Sequence, residues 1–426
     1  MKQKQLRDSV IIGFALFAMF FGAGNLIFPP FLGNSVGDQF LPALLGFLIT
    51  GIGLPLLGII ACARIDGPFE KMAGRVGKTF AMVATIILIL AIGPIIAIPR
   101  TASTTFEIGV STLFPAATQG MTTLIYFAIT LFFVLRPTAI VDTIGKVLTP
   151  ILLFVLVIII SKGMISPIGE IATLDVSNVF TSSFKEGYQT MDAIAAVIFA
   201  SIVISSVHTK GYRDSKSSSK VIMTAGCIAI GGLALIYGGL LYLGAQTSML
   251  TDVSFSRTQL LLYIVREVFG PLGVILLSIC ATVACFTTAI ALLSSSAEFF
   301  TKLFKAKIPY PVIAIVLTVI SALMATNDVD QIVALAGPAL DIIYPVVIVL
   351  IILTLLGNFI KHDDVVAWTV YVTLGISLII NLSLLFKWES LITILNYLPL
   401  QGAGFGWVVP AILTCLVANY LIKKEV

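Results

Sequence analysis

Charge is what this sequence has least of. Only 11% of its 426 residues are Asp, Glu, Lys or Arg, while 58% are apolar and mean hydropathy is +1.09. So few charges cannot clothe a water-facing surface, which excludes a soluble globular fold. Histidine occurs only at His208 and His362, both read as loop residues. Cys62, Cys227, Cys280, Cys285 and Cys415 lie in or at the ends of apolar segments; they are silent about redox compartment and lack metal-ligand spacing. Gly-x-Ser-x-Gly, His-Glu-x-x-His and phosphate-loop motifs are missing, so no enzyme signature competes. Glu107, Asp192 and Glu298 fall at expected span ends, where a solvated carboxylate is the ordinary reading. Lys2, Lys4 and Arg7 precede an apolar run, but no Ala-x-Ala-like site follows, so the run does not read as a cleaved signal.

What the chain does have is repeated apolar sequence, as in 81–98, 151–160 and 346–356. Runs of about 20 apolar residues are long enough to cross a bilayer as helix. Segmentation gives spans near 9–31, 39–61, 79–106, 121–136, 141–161, 189–207, 219–245, 268–300, 310–325, 332–357, 365–386 and 403–422. Cytoplasmic loops retain positive charge. Of the 25 Lys and Arg, nineteen fall on the side of the N-terminus, Arg213 and Lys361 among them. Five (Lys162, Lys185, Arg257, Arg266 and Lys387) fall on the other side, and Arg100 lies within a span. Both termini are therefore expected in the cytoplasm. The net charge of +4 describes orientation and gives no reason to invoke nucleic acid.

Polar interruptions mark where function sits, because irregular backbone at membrane depth survives only inside protein or beside a watery cavity. The first span is interrupted by Gly22-Ala23-Gly24-Asn25. Small residues also serve close helix packing, but packing alone leaves Asn25 unexplained, whereas an unwound segment offers amides to an anion and carbonyls to a cation. In the eighth span Ala284, Thr287, Thr288, Ala291 and Ser295 form one small, partly polar helical stripe. Their hydroxyls are hard oxygen donors, or else simply bond the preceding carbonyls. The sixth span shows no Gly or Pro at its centre. Arg100 lies toward the outer end of span three, where it can also snorkel, and Asp341 lies about three turns into span ten. Ionisable groups at such depth are functional candidates.

The stretches "FFGAGNLIFPPFLG", "GPIIAIPRTASTTFEIG" and "AGPALDIIYP" resemble the BrnQ-type branched-chain amino acid:cation symporter family, and the similarity runs from the first span to the last. The resemblance implies uptake of leucine, isoleucine and valine with a co-transported cation, usually Na+, across the bacterial cytoplasmic membrane. It also implies an all-α fold of 12 transmembrane helices. That fold is a leucine-transporter-like 5+5 inverted repeat (1–161 and 162–362), with helices 1 and 6 broken at the midplane and 363–426 peripheral. A single chain in the lipid bilayer is expected to suffice.

By position, the resemblance gives the substrate carboxylate to the amides of Gly22, Ala23 and Gly24, and its ammonium to carbonyls near Phe199, Ala200 and Ile202. Thr288 borders the same substrate. The sodium site would use carbonyls of Ala18, Phe21 and Ala284 with the hydroxyls of Thr287 and Thr288. Asn25 either serves a second cation or braces the break. Two departures stand out: Phe199-Ala200-Ser201 where the family often has Phe-Gly, and Phe28 in place of a basic outer-gate residue. Arg100 and Asp341 are expected to supply that gate as an ion pair. A proton-coupled carrier using Asp341 or Glu107, and an amino acid sensor that does not transport, are the rival readings.

Overall fold

The computed structural model describes residues 2–136, 139–212, 214–250, 254–357, 359–360 and 362–424. Arg213 and Lys361 lie outside the described residues, as do the side chains of Lys2, Lys146, Lys216, Lys423 and Lys424. Every described element is helical, as lipid requires of a chain that must close its own backbone hydrogen bonds. Among the described residues seven helices are long and apolar enough to cross a membrane, and four shorter apolar ones accompany them: Gln119–Leu135, Pro150–Ile165, Tyr310–Met324 and Val408–Ile422.

Eight helices position the site. In chain order they are α1 (Lys2–Phe20), α2 (Ala23–Val36), α3 (Ala97–Thr104), α4 (Val179–Glu186), α5 (Asp192–Thr209), α6 (Ser215–Ala245), α7 (Arg257–Leu303) and α8 (Val329–Leu355). Both α1 and α2 pack on α6 through glycine. A Cβ on Gly33 would fall 1.9 Å from the Leu241 carbonyl oxygen, one on Gly244 1.9 Å from that of Pro30, and one on Gly13 2.9 Å from that of Ala225. Close helix approach is therefore the work of these glycines, which leaves those at 22 and 24 to be explained otherwise.

The chain enters α3 through a widened turn at Ala91–Ile95, where Gly93 leaves helical geometry (φ −97°, ψ −118°) and Pro94 donates no N–H. The 47 residues of α7 are far too many for one crossing, since 1.5 Å per residue gives about 70 Å of helix. At Gly270 (φ 73°) followed by Pro271 the helix bends, a backbone conformation only glycine adopts freely. The residues before the bend form an arm, so Arg257 and Arg266 are helical rather than in the loop the segmentation gave them. This arm is tied down at several points. Arg257 pairs with Asp330 at 2.6 Å and Glu186 at 3.3 Å. Glu107 accepts from the Thr258 hydroxyl at 2.5 Å and from the Val329 N–H at 2.8 Å, so it is an engaged carboxylate, not a solvated one. His208 sits in the last turn of α5, not in a loop, and His362 immediately precedes the helix Asp363–Leu385 without a side-chain bond to it.

Candidate functional site

The interruption expected near the start of the chain is present and shorter than expected. Only Phe21 and Gly22 leave the helix, Gly22 in extended geometry (φ −115°, ψ −172°), and α2 begins at Ala23. The Asn25 Oδ1 accepts from the Gly22 N–H at 3.1 Å and so caps the new helix. Ala23 and Gly24 occupy the first turn of α2, where a helix supplies no acceptor for its own amides. Beside them lies Arg100 of α3, 4% exposed. A Cβ on Gly24 would sit 3.0 Å from Arg100 Nη2 and 2.9 Å from the Phe28 ring, so Gly24 is small because a guanidinium rests on it. Arg100 Nη1 donates to the Gln189 carbonyl at 2.6 Å, and its guanidinium lies 5.2 Å from the Phe28 ring centre.

A second interruption faces the first. After α4 the chain tightens into a 3₁₀ turn over Gly187–Thr190, passes through Met191 in left-handed geometry (φ 59°, ψ 14°), and starts α5 at Asp192. Asp192 is 4% exposed, which corrects its reading as a solvated span end. Its Oδ2 accepts from Asn25 Nδ2 at 2.7 Å and from the Tyr237 hydroxyl at 3.3 Å, and Asn25 Nδ2 also meets the Tyr237 hydroxyl. Asn25 thus caps one interruption with its oxygen and holds the other with its nitrogen. Its bracing role is direct.

Other expected groupings are not assembled. Phe199, Ala200 and Ile202 lie inside unbroken α5, about two turns beyond the interruption, where helix geometry already uses their carbonyls; the Ile202 side chain is exposed. Arg100 and Asp341 do not pair. Asp341 of α8 instead meets Lys185 Nζ at 3.1 Å, because Arg100 is turned inward onto Gln189. Phe28, expected merely to replace a basic residue, is approached by a second guanidinium group, that of Arg257, 5.6 Å from the same ring centre.

For a cation, the donors at hand are carbonyl and hydroxyl oxygens, the ligand type of hard ions. Thr287 and Thr288 of α7 are half-buried; Thr287 Oγ1 currently donates to the Ala284 carbonyl at 3.1 Å. Phe21 is buried and Ala18 exposed. The α2 segment packs on α7, whereas α1 packs on α6 and α5. Among the described residues no cluster of His, Cys, Asp or Glu is arranged to hold a metal. Sequence reasoning missed Asp192, Tyr237 and Gln189. The available signal was the polar run Gln189-Thr190-Met191-Asp192 set between two apolar-faced helical stretches.

Opposite charges buried at the ends of interrupted helices, in a chain otherwise made of apolar helix, define a membrane carrier and not an enzyme. The chain matches the family described as "Branched-chain amino acid transport protein" over residues 5–426, and it belongs to that family. It is 37% identical over 426 residues to the branched-chain amino acid permease BraB of Bacillus subtilis, covering 98% of this chain and 96% of that one. To BrnQ, a branched-chain amino acid permease of the same organism, it is 38% identical, covering 95% of this chain and 94% of that one. The branched-chain amino acid transport system 2 carrier protein of Pseudomonas aeruginosa is 35% identical, with 98% and 97% covered. Among solved structures, the inward-facing conformation of Mhp1 superposes with a TM-score of 0.64 at 16% identity, covering 98% of this chain and 91% of that one. The closed conformation of Mhp1, a nucleobase-cation-symport-1 family transporter, gives 0.60 at 13% identity, covering 98% and 92%. These two share the fold.

Proposed function

We propose that the protein is a secondary active symporter that carries leucine, isoleucine and valine into the bacterial cytoplasm with Na+ by alternating access. One observation supports this most. Arg100 and Asp192 are buried charges of opposite sign that form no ion pair with each other. Buried charge is costly unless compensated, and a zwitterion supplies both missing halves. Its carboxylate takes the free amides of Ala23 and Gly24 and the Arg100 guanidinium; the Gly22 amide is already used by Asn25. Its ammonium takes Asp192, the role first given to the carbonyls of Phe199, Ala200 and Ile202. One methylene changes apolar binding by about 1–3 kcal/mol, so discrimination among the three substrates is modest.

In this reading the chain crosses the cytoplasmic membrane twelve times with both termini inside, and one copy suffices. The units 1–161 and 162–362 are inverted repeats of the leucine-transporter kind, and each has its interruption in its first helix. The residues 363–426 are peripheral. Na+ binds to the carbonyls of Ala18, Phe21 and Ala284 and the hydroxyls of Thr287 and Thr288, with Thr288 bordering the substrate. A ligand shifts a two-state balance only by binding one state better. Drawing α1 toward α7 is that difference, since α1 packs chiefly on α6 and α5 here. The Arg257 end is held shut by its ion pairs. A cleft of about 540 Å³ lined by Ser201, Ser205, His208 and Asp66 opens along α5. That combination fits an arrangement open to the cytoplasm.

The test is uptake of labelled leucine by liposomes at fixed pH, with and without an imposed sodium gradient. Uptake should follow sodium, and Thr287→Ala or Thr288→Ala should each raise half-saturating sodium about tenfold, the equivalent of about 1.4 kcal/mol. Asp192 favours a second reading, proton coupling, because it is a carboxylate only 4% exposed, at the meeting point of the two interruptions, that is held by hydrogen bonds and by no ion pair. Uptake driven equally by a pH gradient without sodium selects that reading. Leucine binding without uptake selects a sensor.

A further inference from the structure

Tyr126 lies on the helix Gln119–Leu135, outside both interruptions, and is buried together with Thr101 of α3 and Cys285 of α7. Its hydroxyl donates to the Cys285 carbonyl at 3.0 Å and lies 3.0 Å from the Thr101 hydroxyl. A carbonyl only accepts, so that bond takes the tyrosine proton. Thr101 can then donate either to Tyr126 or to the Ile98 carbonyl, 2.6 Å away. The Tyr126 ring packs edge-on against Phe286 of α7, with 5.6 Å between centres. A buried tyrosine hydroxyl needs a single partner. This one joins two helices, and each carries half of the site: Arg100 precedes Thr101, while Ala284 and Thr287 flank Cys285.

Helix geometry gives the grip on Cys285 its consequence. Successive residues turn by about 100°, so fixing one of them sets the directions of Ala284, Thr287 and Thr288. The Ala284 carbonyl now accepts from the Thr287 hydroxyl at 3.1 Å, a contact that a cation held by both oxygens would replace. We propose that Tyr126 is a positioning residue that couples the sodium site to the leucine site. This rests on the symport reading and identifies the side chain that makes the two ligands interdependent. With the hydroxyl in place, the ordering of α7 around a cation is passed to Thr101 and so to the neighbouring Arg100, which receives the substrate carboxylate. Without it, the two sites fill independently.

Equilibrium binding of labelled leucine to the full chain in nanodiscs, in sodium or in choline at equal ionic strength, tests this. In the wild type sodium should tighten leucine binding about fivefold or more, the low end of coupling between two sites. Tyr126→Phe keeps the ring and loses the hydroxyl. It should bind leucine as the wild type does in choline, and sodium should tighten that binding about twofold or less. Thr101→Val removes the other end of the same link and should behave alike, which keeps the test open should Tyr126→Phe misfold. Thr130→Val removes a buried hydroxyl that bonds the Tyr126 carbonyl one turn back in the same helix, and should keep the wild-type response. A full sodium response in Tyr126→Phe or Thr101→Val, weakened binding in choline, or an equal loss in Thr130→Val overturns the coupling role alone. A wild type indifferent to sodium overturns the sodium reading together with it.

Discussion

At the first interruption the chain places glycine on either side of Ala23, and at the second it places none beyond Gly187, yet both leave the helix at the same meeting point. The first opens because little resists it. Gly22 adopts extended geometry with no side chain to position, and Asn25 caps the helix that restarts. The second is held open against local preference, with Met191 in a left-handed conformation that costs a non-glycine residue about 1–2 kcal/mol. That geometry persists because its surroundings fix it: Gln189 by Arg100, and Asp192 by Asn25 and Tyr237. A loose break can reorganise around a ligand, and a strained one stores a preference that a ligand can release. Asn25 joins the two kinds face to face, its oxygen on Gly22 and its nitrogen on Asp192.

The largest effect should come from the charge at the strained side. Asp192→Asn keeps the shape and the hydrogen bond to Tyr237 but removes the partner for an ammonium group, a bond worth about 1.5–3 kcal/mol. Leucine uptake should fall up to about 100-fold in kcat/KM, with elution profile unchanged. The deaminated analogue 4-methylpentanoate should then compete as well as leucine, which it does not in the wild type. Initial rates within threefold of wild type would show that the two interruptions do not share one zwitterion.

The difference between the interruptions also explains what the amino-acid sequence disclosed. The membrane-crossing helical class and the α1–α2 break were legible because long apolar runs, and glycine with asparagine inside one, have few other uses. The second break was not, since its turn is made of Tyr188, Gln189, Thr190 and Met191, and tertiary hydrogen bonds impose its geometry. Asp192 looked like the start of a span for the same reason. The Arg100–Asp341 pairing failed because spacing along two helices cannot tell which way a long guanidinium turns. Lys185 stands only six residues before Met191, on a short helix outside the apolar spans, so apolar periodicity gives no sign of its pairing with Asp341. The threonine stripe, by contrast, was read from periodicity alone and lies on one long helix as expected.

A smaller effect separates the two glycines of the first interruption. Gly24→Ala would press a methyl against Arg100 at 3.0 Å and Phe28 at 2.9 Å, and overpacking of this kind costs about 1–3 kcal/mol. Uptake should fall about tenfold, mostly as a rise in KM, because the guanidinium is displaced from the carboxylate position. Gly22→Ala meets nothing nearer than Asn25 Oδ1 at 3.6 Å, and its φ of −115° suits any residue. That variant should stay within about twofold of wild type, a small fraction of the overpacking cost. Equal losses at both positions would mean that flexibility of the break, not room for Arg100, sets the requirement.

The smallest effect tests the strain itself. Met191→Ala and Met191→Gly both remove a buried side chain, so their difference isolates the backbone. In ordinary helix or extended chain, alanine is the more stable choice by about 0.5–1 kcal/mol. At φ 59° the order should reverse, the glycine variant melting above the alanine variant by the equivalent of about 1 kcal/mol. Thermal unfolding of the two variants in the same detergent reads this directly. An alanine variant as stable as the glycine one would mean that the second interruption is as relaxed as the first, and the contrast between a loose break and a strained one would be lost.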